Sequence, residues 1–349
     1  MRYSKVGVNS FNYFLPRDIL TSATIEERLS PLYERLRLPT GRLELMTGIK
    51  ERRVWPEGTR PSEVSARAGE LALQSAGVDK QEIDCLLHCS VCRDFVEPAT
   101  STAAHRLLGL SGRALNFDIS NACLGVLSGM TQLANMIELG QVRCGMVVAG
   151  ENSRPLMEST IAELNSNVTL TRRDIKPWFA SLTIGSAAAA VVMSHVDFRP
   201  APMRFLGGAH FCDTRYNHLC QGGQDGGMVG GGGVLMRTDS EELLKRGVAV
   251  AKDTWELTKQ DLAWDNGTPD VICTHQVGKR HSDYLYDSLG LDVSKDFATV
   301  ETLGNCGSVS LPVTAAMAIE AGRLPAGGKL ALLGIGSGIN CLMIGVEKV

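Results

Sequence analysis

The sequence predicts an α/β protein built from two similar halves. Short apolar runs alternate with longer segments in which hydrophobic residues recur at helical spacing, the pattern of buried strands covered by helices on both faces. The same order of runs occurs twice along the chain. With 349 residues, 44% of them hydrophobic, the chain is long enough for two such halves and their cores.

Three strand-like runs define the first half, and each is followed by a turn and a helical pattern. The runs cover residues 84–91, 114–119 and 144–150. Apolar residues at helical spacing also follow Cys123, so we expect a buried helix to begin beside this cysteine. These residues are Leu124, Leu127, Met130, Leu133, Ala134 and Ile137.

The second half repeats this order, with runs at 270–277, 297–300 and 329–334. A repeated order at similar spacing indicates a degenerate duplication. We therefore expect an N-terminal half over residues 1–197 and a C-terminal half over residues 198–349. Corresponding turns of two packed halves would lie near one another at the strand ends.

Composition and charge exclude several classes of partner. The 35 basic and 38 acidic residues give a net charge of -3 and form no long like-charge block, so we expect no nucleic-acid or membrane-surface partner. No stretch approaches about 18 consecutive apolar residues, and the N-terminus lacks a signal-peptide pattern. We expect a soluble cytoplasmic protein without a membrane span, in which the ten cysteines are reduced.

Cys123 lies between a strand-like run and a helical pattern, in the stretch FDISNACLGVL. A cysteine at a helix start meets the positive end of the helix dipole and unpaired backbone N–H groups, which favour the thiolate and make it a candidate acyl acceptor. Free cysteines are also among the most buried residues, so a packing role is the alternative that this local pattern leaves open.

His275 and Asn305 are candidate partners of this thiol. His275 ends an apolar run, and Asn305 lies in a turn before a helical segment. N–H donors from these two side chains, aimed at one point, would stabilise an enolate or thioester oxygen. Each also has a structural interpretation, as a core histidine and as a turn or cap residue.

Two glycine-rich stretches have different interpretations. The stretch 334–338 follows a strand at the C-terminus, where it lacks the strand–turn–helix context of a nucleotide fingerprint and instead offers backbone N–H groups to an oxyanion. The stretch 222–234 matches no phosphate loop, and we interpret it as a flexible surface loop, with a pocket lid as the alternative.

Two further motifs have structural interpretations. Cys89 and Cys92, with Cys85 and His88 nearby, form a CxxC pair, but no second pair is present and residues three apart in a strand point to opposite faces, so we favour a buried strand over a zinc site. Glu97 precedes a proline that is typical of a first helical position, which makes it a carboxylate near a helix N-terminus.

Taken in order, these motifs resemble the thiolase superfamily, and within it the ketoacyl-ACP synthase III (FabH-like) condensing enzymes. The motifs are MTGIKER at 46–52, NACLG at 121–125, HQ at 275–276, GN at 304–305 with SLP at 310–312, and GIGSG at 334–338. The resemblance implies a duplicated five-layer αβαβα fold, usually in a homodimer. It also implies that no cofactor is tightly bound.

The same resemblance assigns roles to individual residues. It implies that Cys123 is the nucleophile at the base of a pantetheine tunnel and that His275 and Asn305 hold the thioester oxygen. Backbone N–H groups of Cys123 and Ser337 would form the oxyanion hole for the tetrahedral intermediate.

The closer similarity is to the OleA-like branch of olefin biosynthesis, carried by RRVW at 52–55, SVCRDFVEP at 90–98 and ALLGIGSGINC at 331–341. In that branch a glutamate equivalent to Glu97 reaches into the neighbouring subunit's site and acts as the base. A non-decarboxylative Claisen condensation must remove an α-proton, whereas a decarboxylative synthase makes its carbanion by losing CO2. The resemblance therefore implies condensation of two acyl-CoA molecules through acylated Cys123.

The resemblance also has departures that leave alternatives open. Arg42 and Met46 do not reproduce the Trp and Arg that clamp the CoA adenine in typical FabH enzymes, so the carrier is either CoA or the phosphopantetheine of an acyl carrier protein. A decarboxylative 3-oxoacyl-ACP synthase III that uses malonyl-ACP in fatty acid biosynthesis would leave Glu97 with a structural role. A non-catalytic acyl-binding scaffold with the same fold is the third interpretation.

Overall fold

A computed structural model of the chain describes residues 1–223 and 234–349. The strands are β1 (Val6–Phe14), β2 (Asp18–Thr21), β3 (Glu51–Val54), β4 (Cys85–His88), β5 (Leu115–Asp118), β6 (Cys144–Glu151), β7 (Ala187–His195), β8 (Met203–Cys212), β9 (Cys220–Gly222), β10 (Met236–Thr238), β11 (Val271–Thr274), β12 (Lys329–Gly336) and β13 (Asn340–Lys348). Most of the glycine-rich stretch 222–234, interpreted above as a surface loop or lid, lies outside the described residues.

The α-helices are α1 (Ser22–Arg28), α2 (Ser30–Leu36), α3 (Arg42–Thr47), α4 (Pro61–Ala76), α5 (Thr100–Leu108), α6 (Gly125–Glu138), α7 (Arg154–Ser166), α8 (Ser240–Leu262), α9 (Lys279–Leu289), α10 (Val300–Leu303) and α11 (Ser310–Glu320). Short 3₁₀ helices lie at Lys80–Glu82, Ala122–Leu124, Lys176–Thr183, Thr214–Leu219, Val293–Lys295 and Gly307–Val309. The buried helix expected after Cys123 is α6, and all the apolar residues that predicted it are buried.

The duplication expected from the sequence is confirmed by the strand order of the central sheet. The first half runs β1-β7-β6-β4-β5, with two antiparallel pairs followed by two parallel pairs. The second half runs β8-β13-β12-β11 with the same sequence of antiparallel, antiparallel and parallel pairs. A short pairing of β1 with β8 joins the two sets of strands into one order of nine. We propose that the halves divide at residue 197, in the connection between β7 and β8.

The prediction of a strand at 297–300 is wrong. The counterpart of β5 is reduced to a single parallel bridge between Ile272 and Asp296, and α10 begins at Val300. The physical reason is a side-chain cap, because the Oε1 atom of Gln276 accepts hydrogen bonds from the backbone N–H groups of Thr299 and Val300, both at 3.0 Å. Backbone N–H groups that are capped by a side chain favour the start of a helix, and they can no longer donate to a neighbouring strand.

The buried side chains separate into the five layers of an αβαβα arrangement. Cys85 and Leu87 of β4 pack in one cluster with the central helices α6 and α11, whereas Leu86 packs on α4 and α5. In the second half, Leu332 of β12 joins the central cluster and Leu333 packs on α8 and α9. This alternation is the two-residue period of a strand that is covered on both faces.

Within residues 1–223 and 234–349, no helix combines the length and the apolar character that crossing a lipid bilayer requires.

The start of α6 lies unusually close to the end of β4. A methyl group on Gly125 would overlap the carbonyl oxygen of Cys89 and would stand 3.4 Å from the Cβ atom of Ser308 in the second half. Gly129, one turn later, packs against the Cys89 side chain in the same way. Only residues without a side chain allow this approach, which brings the Cys123 turn next to both halves.

We expect Gly125→Ala to lower the free energy of unfolding by about 2 kcal/mol or more, because the added methyl group would force α6 away from β4. The comparison is Gly112→Ala, at an exposed turn glycine with no atom within 4 Å of the new methyl group. Urea unfolding followed by circular dichroism measures both. Equal midpoints for the two variants would contradict the close approach.

Candidate active site

Cys123 lies in a strained turn between β5 and α6. The preceding residue, Ala122, has φ +45°, a left-handed conformation that is uncommon for residues other than glycine. The side chain of Asn121 holds this turn, because its Nδ2 donates to Ser128 Oγ at 2.9 Å and its Oδ1 accepts from Asn340 Nδ2 at 3.2 Å. The turn projects Cys123 from the end of a rigid sheet, a geometry typical of nucleophiles.

The turn at Ser337 lies beside the backbone of Cys123. Gly334 of β12 packs against Leu124, and a methyl group on Gly336 would stand 3.7 Å from the Cys123 nitrogen atom. Ser337 follows directly in the tight connection from β12 to β13. The geometry thus places next to one another the two backbone segments that the resemblance assigned to an oxyanion hole.

His275 continues the line of β11 by one residue, and its backbone N–H donates to the carbonyl of Leu333 at 3.1 Å. Because Leu333 is followed by the Gly334–Gly336 segment that packs on Leu124, His275 is attached to the strand that lies against the Cys123 turn. The neighbouring Gln276 is buried, and its cap on α10 ties the His275 segment to the segment that leads to Asn305.

Asn305 is held by hydrogen bonds to the backbone of three other residues. Its N–H donates to Thr183 O at 3.0 Å, and its carbonyl accepts from Gly185 N at 2.9 Å. The side-chain Oδ1 accepts from Gly307 N at 3.0 Å, which leaves the NH2 group as the donor that Asn305 can offer. The following 3₁₀ helix, Gly307–Val309, packs on the one that contains Cys123.

Burial controls the protonation of this site. It raises the pKa of the Cys123 thiol to about 12, and Cys220 and Glu151 add to that shift. The sequence suggested that a helix start would favour the thiolate, but desolvation outweighs that effect here. Cys123 nevertheless keeps partial solvent contact, whereas Cys85 and Cys89 are fully buried.

His275 is neutral at physiological pH. Burial lowers its pKa to about 4, with a further contribution from His281, and its buried Nδ1 atom has no hydrogen-bond partner among the described residues. A neutral imidazole, a neutral amide and a protonated thiol therefore share one end of the sheet. None of these three groups is a cation, so they can stabilise a developing negative oxygen only by donating hydrogen bonds from N–H groups.

Glu97 lies at the surface in the exposed segment Val91–Pro98, outside any helix. Pro98 does not occupy a first helical position, because α5 begins two residues later at Thr100 with Ala99 as its N-cap. The N-terminus of α5 is instead capped by Asp118, whose carboxylate accepts from Thr100 N at 2.8 Å and Ser101 N at 2.7 Å. The position of Glu97 thus has no helix-capping explanation.

The residues around the CxxC motif contact different partners and do not converge on one point. His88 Nε2 is within 3.1 Å of Ser65 Oγ, and Cys92 Sγ accepts from Asn152 N at 3.4 Å. In the part of the chain that the structure describes, no three His, Cys, Asp or Glu side chains are arranged to hold a metal ion.

Glu151 is a buried residue of this region that the sequence did not single out. It ends β6, directly after the run 144–150, and its carboxylate accepts hydrogen bonds from Val91, Cys92 and Ser308. A carboxylate that directly follows a fully apolar strand could have indicated it, because such a position requires several buried donors.

Comparison with known proteins agrees with this geometry. The model of the thiolase N-terminal domain matches residues 44–194, and the model of the 3-oxoacyl-[acyl-carrier-protein] synthase III C-terminal domain matches residues 260–347. The chain is therefore a condensing enzyme of the thiolase superfamily, an acyltransferase class, as the resemblance implied.

Individual relatives are more specific. The chain is 40% identical to an acyl-CoA:acyl-CoA alkyltransferase from Shewanella oneidensis, over 99% of this chain and 100% of that protein. It is 34% identical to the acyl-CoA:acyl-CoA alkyltransferase of Xanthomonas campestris, over 98% of each chain. Crystal structures of Xanthomonas campestris OleA superpose with a TM-score of 0.93 or 0.94 over 99% of this chain and 98% or 99% of the other. The chain belongs to the acyl-CoA:acyl-CoA alkyltransferase family, the OleA-like branch.

The raised pKa of Cys123 predicts an unusual pH dependence of alkylation. A thiol with a pKa of about 12 gains thiolate about tenfold for each pH unit, so iodoacetamide labelling of Cys123 should keep accelerating from pH 7 to pH 10. Peptide-resolved mass spectrometry measures the rate. The same residue in the urea-unfolded chain is the control and should level off near pH 9. A plateau below pH 9 in the folded protein would show that Cys123 is not desolvated.

Proposed function

We propose that this chain condenses two acyl-CoA molecules without decarboxylation, with Cys123 as nucleophile, Glu97 as base, and His275 and Asn305 as donors to the thioester oxygen. The observation that carries the proposal is the meeting of the Cys123 turn, the Ser337 turn and the His275 and Asn305 segments at one end of the sheet.

Acylation of Cys123 comes first. The thiol attacks the thioester carbonyl of acyl-CoA, a Cys123–acyl bond forms, and the bond to the CoA sulfur breaks. The proton lost by Cys123 balances the proton taken up by the departing CoA thiolate. The negative oxygen of the tetrahedral intermediate lies between the backbone N–H groups of Cys123 and Ser337, which are fixed before the reaction begins.

Condensation follows with a second acyl-CoA. Glu97 removes an α-proton, and the enolate oxygen that forms accepts hydrogen bonds from His275 and Asn305. The α-carbon attacks the carbonyl of acylated Cys123, the carbon–sulfur bond breaks, and the proton on Glu97 returns to the thiolate. The product is a β-ketoacyl-CoA. Neutral donors suit the enolate, because a charged imidazolium would hold the enolate too tightly and lower its nucleophilicity.

The relatives support the assignment of the base. The solved Xanthomonas campestris OleA structures include variants at a cysteine, a glutamate and a histidine. The cysteine and the glutamate replaced there are separated by the same number of residues as Cys123 and Glu97. Since Glu97 is exposed and follows two exposed apolar residues, Phe95 and Val96, we propose that its segment enters the site of a second copy.

A homodimer also accounts for an exposed apolar face. Strand β5 lies at the edge of the sheet, with Leu115 about half exposed. Leu107 of α5 and the segment that contains Val91 and Val96 are exposed as well. An open edge strand beside apolar side chains is a surface that proteins normally cover, and a second copy would cover it.

CoA is the carrier that this chain's charges favour. Arg42 lies 5.9 Å from the ring centre of Phe179, and Arg237 lies 5.1 Å from that of Trp178. Both rings belong to the 3₁₀ helix that ends at Thr183, the residue that holds Asn305. Guanidinium groups near the site would meet the phosphates of CoA, and one OleA structure contains lauric acid and lauroyl-CoA. We propose a cytoplasmic location, where acyl-CoA is available.

The two half-reactions separate the roles of Cys123 and Glu97. We expect Cys123→Ala to abolish the covalent acyl adduct seen by intact mass spectrometry. Glu97→Gln should keep the adduct but lower the rate of β-keto product formation by about 100-fold or more, because an amide does not remove the α-proton. Glu27→Gln on α1, another exposed carboxylate, is the matched control and should retain both reactions.

Mixing the two inactive variants tests whether the base acts across a dimer. A mixed dimer of Cys123→Ala and Glu97→Gln protomers has one site with an intact cysteine and a base from the partner. Statistical exchange should therefore restore about one quarter of the wild-type rate. If the mixture stays inactive although exchange is demonstrated, Glu97 acts within its own chain or not at all.

A further inference from the structure

Glu151 is a buried carboxylate whose hydrogen-bond partners belong to two different functional segments. Its Oε1 atom accepts from Val91 N at 2.9 Å and from Ser308 Oγ at 2.5 Å, with Ser308 N at 3.3 Å. Its Oε2 atom accepts from Cys92 N at 3.1 Å. Only 4% of the residue is exposed to solvent.

The first segment that it holds leads to the proposed base. Val91 and Cys92 begin the exposed stretch that ends at Glu97. A second anchor lies in the middle of this stretch, where Asp94 accepts from Ser62 N at 2.9 Å and from Ser62 Oγ at 2.5 Å. Glu151 thus fixes the point at which the segment leaves the core.

The second segment that it holds contains Asn305. Ser308 lies three residues after Asn305, in the 3₁₀ helix that packs on the Cys123 turn. Between them, Gly307 has φ +57°, and a methyl group there would stand 3.3 Å from the Glu151 carboxyl carbon. The loop therefore wraps closely around the Glu151 carboxylate.

The donor set explains why this position is a carboxylate. All four of its hydrogen bonds come from N–H or O–H groups, and no lysine, arginine or histidine of the described residues pairs with it within 4 Å. Both oxygens of a carboxylate can accept from such donors, whereas a glutamine would turn its NH2 group toward at least one of them.

We propose that Glu151 is a positioning residue for the condensation step. Its single carboxylate fixes the position of the Asn305 loop relative to Val91 and Cys92, where the segment that leads to Glu97 begins. This inference rests on the proposed function. Acylation of Cys123 uses the backbone N–H groups of Cys123 and Ser337, which Glu151 does not contact. Condensation uses Asn305 and Glu97, and both depend on the segments that Glu151 holds.

Half-reactions of Glu151→Gln test the proposal. We expect the acyl adduct on Cys123 to form no more than about threefold more slowly than in the wild type. Because Glu151 adds to the raised pKa of Cys123, its loss works against any slowing of acylation. In contrast, β-keto product formation from acyl-CoA should fall by 10-fold or more. Glu151→Asp keeps the charge but withdraws it by one methylene, and it should restore part of the condensation rate. A residue that only supports the fold would lower both half-reactions together.

A double-mutant cycle gives a second measurement. Ser308→Ala removes one donor from the same carboxylate, so its effect on condensation and that of Glu151→Gln should be non-additive. The matched control is Glu138→Gln, because Glu138 also accepts several hydrogen bonds, from Ser4 and Lys5, but lies at the far end of α6, about 20 Å from Cys123. It should leave the ratio of the half-reactions unchanged.

The outcomes distinguish this inference from the proposed function. If wild-type protein forms no β-keto product from acyl-CoA alone, the proposed function fails and this inference fails with it. If the wild type condenses acyl-CoA and Glu151→Gln slows both half-reactions equally, or neither, the proposed function stands and the positioning role of Glu151 is overturned.

Discussion

The close approach of α6 to the end of β4 is the constraint on which the rest of the site depends. Gly125 leaves room for the carbonyl of Cys89 on one side and for Ser308 of the second half on the other. Because both halves meet at this glycine, the turn that carries Cys123 cannot move independently of the Asn305 loop. The duplicated fold thus supplies the proposed nucleophile from one half and its proposed neutral donors from the other, and close packing fixes the distance between them.

The electrostatics of the site follow from the same burial. Desolvation holds the thiol protonated, with a pKa of about 12, and keeps the imidazole neutral, with a pKa of about 4. A site of neutral groups neither traps a CoA thiolate nor holds an enolate too tightly, and its stabilising power lies in N–H groups fixed by strands. Outside these groups, the Glu151 carboxylate lies buried against the Asn305 loop, Glu97 lies in an exposed segment, and Arg42 and Arg237 lie over aromatic rings.

Much of the fold and the identity of the family could be predicted from the sequence, because strand and helix periods and the order of short motifs are local properties. The helix after Cys123 and the mirrored strand order are examples. The strand expected at 297–300 failed because a side chain from another segment, Gln276, caps that backbone. The thiol pKa and the role of Glu151 also depend on contacts between residues far apart in the chain, and no local pattern contains them.

The most direct test of the account is the product formed when long-chain acyl-CoA is the only substrate. Purified protein is incubated with one acyl-CoA of defined length, with and without malonyl-ACP, and products are identified by mass spectrometry together with released CoA and CO2. We expect a β-keto product with twice the acyl carbons, no release of CO2 during its formation, and no requirement for malonyl-ACP. A product that appears only with malonyl-ACP, extended by two carbons with one CO2 released, would contradict it.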